Sequence, residues 1–172
     1  TGSPASQNDA IVIEGNRIRS VGQVPSDLNL EDKARVHIID ASGQWIMPGL
    51  IDAHCHLSLR QPSLPEVQWP TSAEHATLWG ARNAQRVLHS GVTSIACMPN
   101  TDPVIDQIAL IEFIARRARE TSLVKIYPIA AIARGLEGRE LTEFGLLAEA
   151  GAHGFSDADR AVTDSKVMLR AL

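Results

Sequence analysis

The chain is poor in cysteine: it has two, Cys55 and Cys97, both inside apolar segments. That is too few for a disulfide framework, and a reducing cytoplasm is the compartment expected. No apolar run approaches the ~20 residues needed to span a bilayer. The opening residues, Thr1-Gly2-Ser3-Pro4, lack the charged and apolar regions of a signal peptide. Positive charge is not in excess either, with 16 Lys and Arg against 20 Asp and Glu and a net charge of −4. Neither nucleic acid nor an anionic membrane is therefore an expected partner. Short repeats and low-complexity tracts are lacking too. What is there, 44% hydrophobic and 21% charged with 12 Gly and 9 Pro, is a globular composition with enough apolar residues for a core.

The pattern changes near residue 48. Before it, short alternating runs are separated by turn signals. Ala10–Glu14 and Arg17–Gly22 flank Gly15-Asn16, a hairpin turn because both residues tolerate positive φ. Arg35–Asp40 and Gln44–Met47 come next, split by Ser42-Gly43. Residues 1–47 thus read as a small all-β module. Residues 48–172 alternate instead. Gly49–His54, Val92–Met98, Val124–Ala131 and His153–Asp157 are apolar runs of strand length. Ser72–His89, Ile108–Arg119, Glu140–Glu149 and Thr163–Leu172 have helical spacing, the first ending at Ser90-Gly91. Four successive βα units predict an α/β fold with parallel strands covered by helices. They could form a small open sheet or half of an eight-unit barrel, which needs ~250 residues. The pattern alone leaves both open.

Asp52-Ala53-His54-Cys55-His56 is the sharpest chemical feature. Side chains alternate along a strand, so His54 and His56 share a face and can reach one metal ion. The bland alternative is a pair of strand-end histidines satisfied by backbone. Position favours a site, because the pair ends the first parallel strand, where α/β barrels build active sites. Asn100 lies at the same end of the second strand and can both donate to and accept from a substrate. Alone it is an ordinary turn residue. Asp157 closes the fourth run, where a carboxylate could ligate a divalent metal, or simply cap the next segment. His54, His56, Asn100 and Asp157 together fall on one rim of one sheet. His153 shares a face with Asp157 but starts its run, and is expected to be a buried structural histidine.

Pro48-Gly49-Leu50-Ile51-Asp52-Ala53-His54-Cys55-His56-Leu57 resembles the entry motif of the amidohydrolase superfamily. Cys97-Met98-Pro99-Asn100-Thr101-Asp102-Pro103-Val104-Ile105-Asp106 resembles the dihydroorotase and cyclic-amidase branch more narrowly. So do Gly135-Leu136-Glu137-Gly138, Glu149-Ala150-Gly151 and Gly154-Phe155-Ser156-Asp157. The likeness runs from Ala10 to Leu172. It implies a TIM-type (β/α)8 barrel of which residues 48–172 are the first four βα units. It also implies a small β domain built from both chain termini, residues 1–47 being one part. By motif, His54, His56 and Asp157 would be metal ligands in a site of one or two zinc ions, and Asn100 and Arg60 would hold substrate. Many relatives carry a carboxylated lysine at the fourth strand; its absence here favours the dihydroorotase branch over the hydantoinase-like one. The family's other histidine ligands and its catalytic base belong to strands five to eight. No catalytic residue is therefore expected in this segment, which reads as the N-terminal half of a longer enzyme and inactive alone.

Three departures bear on this expectation. Dihydroorotases usually read His-x-His-Leu-Arg-x-Pro-Gly, whereas Ser58-Leu59 intervene here and displace Arg60. The loop 57–71 is longer than usual. Asp157-Ala158-Asp159 stands where Asp-Asp-Gly is common. The resemblance implies a cytoplasmic zinc hydrolase interconverting N-carbamoyl-L-aspartate and dihydroorotate in pyrimidine biosynthesis, with a small-molecule substrate. It further implies a homo-oligomer, and aspartate carbamoyltransferase as a candidate partner. The alternatives are an allantoinase- or dihydropyrimidinase-like enzyme, and a non-catalytic scaffold subunit of aspartate carbamoyltransferase. Retention of His54 and His56 argues against the scaffold.

Overall fold

The computed structural model describes residues 10–57 and 72–172. Arg60 and the lengthened loop therefore lie outside the described residues. The chain divides into two compact units, Thr1–Met47 and Pro48–Leu172.

The first unit holds the expected hairpin, β1 (Ala10–Glu14) against β2 (Arg17–Gly22), antiparallel and closed by Glu14 opposite Arg17. Gly15 supplies the positive φ (61°) that the tight turn requires. The register slips between Val12 and Ile13, and Arg19 on the facing strand pairs with Asp27 and, at 3.8 Å, with Glu14. Residues 35–40 and 44–47, expected as strands, are not strands. Ile38, Ile39, Trp45, Ile46 and Met47 are all exposed. Alternation shows only that a segment suits a ladder; among the described residues nothing pairs with these two, and a strand exists through its partner's hydrogen bonds.

The second unit is α/β around a parallel sheet, β3 (Leu50–Cys55), β4 (Val92–Cys97) and β5 (Lys125–Pro128), in the order β3-β4-β5. Helix α1 (Ala73–His89) connects β3 to β4, and α2 (Ile108–Thr121) connects β4 to β5. The end of α1 is fixed by Gly91 at φ +88°, whose carbonyl accepts from Leu50 N and so starts β3. Cys55, Leu57, Ala84, Ile95 and Val124 form the core under α1. Ile105, Ile111, Ala130 and Leu147 form a second core between α2 and α3 (Phe144–Glu149). Gly49 shows how close the chain runs: a Cβ there would fall 2.0 Å from Thr93 Oγ1 and 2.7 Å from Thr93 Cβ. Gly49→Ala is expected to destabilise by about 1–3 kcal/mol through overpacking, read as a lower urea midpoint.

The fourth expected strand is reduced to one parallel bridge, Ala130 opposite Phe155. His153 N donates to Pro128 O, Ala130 N to Gly154 O and Ser156 N to Ala130 O, each at 2.9 Å. The ladder stops there because Ala131 N donates to Ile105 O, and the Ile132 and Ala133 amides after it donate to the Asp157 side chain. The third expected helix starts at Phe144, not Glu140, because residues 140–142 pair with 132–134. The last helix, α4 (Ser165–Ala171), is capped by Asp164, which accepts from Lys166 N and Val167 N. His153 is exposed rather than buried; Gly151 O and the edge-on Tyr127 ring hold it.

Candidate functional site

Strand alternation sorts the end of β3. Cys55 and Leu57 turn into the core under α1, leaving His54 exposed and His56 half-buried on the other face. The segment is pinned from three sides. Asp52 Oδ1 accepts from His54 N at 3.0 Å, Cys55 O from Met98 N at 3.0 Å, and Leu57 O from Asn83 Nδ2 at 2.7 Å. The two imidazoles meet with Nε2 atoms 3.0 Å apart and rings crossed at 64°.

Cys55 sits between the histidines and opposite Cys97 in the ladder; both thiols are free. Burial, with smaller contributions from Asp52 and Cys97, pushes the Cys55 thiol up to about 11. Burial raises Cys97 as well. A two-unit rise leaves about a hundredfold less thiolate at neutral pH. Iodoacetamide at pH 8 should therefore modify Cys55 at least about a hundredfold more slowly than a free thiol, measured by mass spectrometry.

At the end of β4, Asn100 comes after the buried Pro99. Its Nδ2 lies 3.5 Å from Asp159 Oδ1, while its Oδ1 is enclosed and has no hydrogen-bond partner. A carboxylate only accepts, and of the amide's two ends only the NH2 can donate, so Asp159 decides which way the amide faces. Asp157 is 4% exposed. Its Oδ1 accepts from Ile132 N at 2.7 Å and Ala133 N at 3.0 Å, and its Oδ2 is buried without a partner. The side chain thus reaches back across 24 and 25 residues rather than capping the next segment of chain.

The structure brings His54 and His56 together, and brings Asn100 to within two residues of Asp157 through Asp159. It does not assemble a full ligand set: among the described residues, no three His, Cys, Asp or Glu side chains stand where they could hold a metal ion. The parts present fit zinc chemically. Two nitrogens on a tetrahedral zinc ion, each about 2.0–2.1 Å from it, stand about 3.3 Å apart, close to the pair seen here. The unpartnered, buried Oδ2 of Asp157 is an oxygen donor of the kind that ligates zinc. A hollow of ≈ 280 Å³ lined by Pro103, Val104, Gln107, Ala109, Leu110 and Phe113 includes none of these residues. Two contributors carry no signal in the sequence. Asp159 is there only an oddity of the Asp-Ala-Asp run, and Thr142, whose hydroxyl donates to Ala131 O, is an ordinary residue before a helix.

Residues 43–172 match the family model described as dihydro-orotase-like. The chain belongs to that family. A dihydroorotase of Acetivibrio thermocellus is 40% identical over 162 residues, covering 94% of this chain and 34% of that protein. One of Syntrophus aciditrophicus is 40% identical over 166 residues with the same coverage, and one of Ruminiclostridium cellulolyticum 39% identical over 141 residues. This dihydro-orotase-like chain therefore spans about a third of the length of these relatives. Among solved structures, the L-hydantoinase (dihydropyrimidinase) from Arthrobacter aurescens superposes with a TM-score of 0.59 at 17% identity. The match covers 94% of this chain and 33% of that one. That likeness shows a shared fold. No helix among the described residues is long and apolar enough to cross a membrane.

Proposed function

We propose that this chain is the first part of a zinc-dependent hydrolase of cyclic amides, with dihydroorotate its substrate and pyrimidine biosynthesis in the cytoplasm its setting. The observation that carries the proposal is the converging His54–His56 pair at the C-terminal end of a parallel strand. Its support is the family to which the chain belongs. On this reading the whole protein closes a (β/α)8 barrel, residues 48–172 giving its first units and residues 1–47 part of a β domain. Among the described residues nothing pairs with the outer edge of β3, where Ile51 is 74% exposed, and a closed barrel covers such an edge.

His54 and His56 would hold one zinc ion, and Asp157 would bind through Oδ2. Bound zinc supplies a nucleophile at neutral pH and a Lewis acid for the amide carbonyl. Asn100 contacts substrate, with Asp159 fixing its amide. The base that carries the proton to the leaving nitrogen belongs to strands beyond this segment.

One observation favours a second reading. Asp159 puts a carboxylate beside Asn100, where a dihydroorotate carboxylate would meet like charge. That would suit an uncharged ring such as a hydantoin, a dihydropyrimidine or allantoin. A substrate panel on the zinc-loaded full-length protein separates the two. The lead predicts a kcat/KM for dihydroorotate at least about tenfold above that for dihydrouracil, a difference of about 1.4 kcal/mol. The opposite preference would establish the second reading.

A further inference from the structure

We infer that Thr142 is a positioning residue for Asp157, holding that carboxylate so that Oδ2 alone is left to bind a metal ion; this rests on the zinc reading above. Thr142 is 6% exposed. Its Oγ1 donates to Ala131 O at 2.6 Å and lies 3.3 Å from Ile132 O. Its own N–H donates to Ile132 O at 2.9 Å. The Ala131 carbonyl and the Ile132 N–H belong to one peptide plane, and the Ile132 carbonyl and Ala133 N–H to the next. Each plane is therefore gripped at its carbonyl end by Thr142 and at its N–H end by Asp157 Oδ1.

Rotation of either plane would break a bond at both ends. With two N–H groups on Oδ1 and none on Oδ2, the carboxylate presents one unpartnered oxygen in a buried place. Leaving it so is unfavourable, and a cation there removes the penalty. Without the hydroxyl the first plane is held from the Asp157 side only, and the carboxylate swings with it. Thr142 touches no metal; it acts through two peptide planes. Residues in such outer positions typically change metal affinity by about 10–100-fold.

The test is zinc affinity of the metal-stripped full-length protein, by competition with a chromophoric chelator, in wild type, T142V, T142S and D157N. Apo unfolding midpoints are recorded beside it. T142V is expected to bind zinc about 10–100-fold more weakly, and T142S, which keeps the hydroxyl, to bind close to wild type. The cobalt-substituted protein at saturating metal should show a changed ligand-field spectrum in T142V and an unchanged one in T142S. Should T142V not fold, Thr142→Ala removes the same hydroxyl in less space and is read the same way. A folded T142V or T142A that binds zinc like wild type overturns the inference, as does a T142S as weak as T142V. If D157N also binds zinc like wild type, Asp157 itself leaves the ligand set, and the fault lies in the zinc reading, not in Thr142 alone.

Discussion

Replacing His54 and His56 together by alanine is expected to abolish stoichiometric zinc binding while leaving the fold in place. The two rings converge at 3.0 Å, so each single variant leaves one imidazole and the double variant none. Loss of a supporting residue behind a ligand typically weakens metal binding by about 10–100-fold, so loss of both ligands should exceed that. The side chains are exposed and half-buried, and their removal strips little packing. Substitutions of that kind stay within about 0.5 kcal/mol of the parent stability. Metal analysis after gel filtration, together with an apo unfolding curve, measures both. Zinc retained by the double variant would place the metal elsewhere; an unfolded double variant would make the pair structural.

The second large effect is expected at Asp157, and two substitutions there should part company. Asp157→Ala removes the acceptor of the Ile132 and Ala133 amides at once. Each buried N–H left without a partner costs about 1–3 kcal/mol, so the apo protein should lose several kcal/mol and unfold early. Asp157→Asn keeps an oxygen for those two amides and places an NH2 where the free Oδ2 was. It should remain folded near the wild-type midpoint and lose zinc affinity by more than about 100-fold. Denaturant unfolding of the apo forms and chelator competition on the loaded forms read the two effects separately. Equal zinc affinity in wild type and Asp157→Asn would reduce the carboxylate to a backbone clamp.

The parts of the fold that can be read in the sequence are those set by local pattern. The Gly15-Asn16 hairpin, α1 with its Ser90-Gly91 stop, β4 and the start of α2 each depend on residues a few positions apart. Features that need a partner distant in the chain are not legible in it. The alternation in residues 35–47 resembles a strand, yet nothing among the described residues completes its ladder. The run through Ala131 breaks after Pro128 because the Ala130 amide turns to Gly154 and the Ala131 amide to Ile105, and the two amides after them turn to Asp157. The same holds for the candidate site. His54 and His56 announce themselves by their spacing, since period two alone puts them on one face. Asp157 stands out by its place after Phe155-Ser156, but the pair of amides it holds does not. Asp159 and Thr142 act through contacts across 59 and 11 residues, which no periodicity encodes.

The measurement that tests the central claim most directly is dihydroorotate hydrolysis by the zinc-loaded full-length protein beside its His54→Ala/His56→Ala variant. The account predicts turnover in the wild type that chelation abolishes and zinc restores, and none in the variant. Zinc-independent turnover, or a variant as active as wild type, would contradict it.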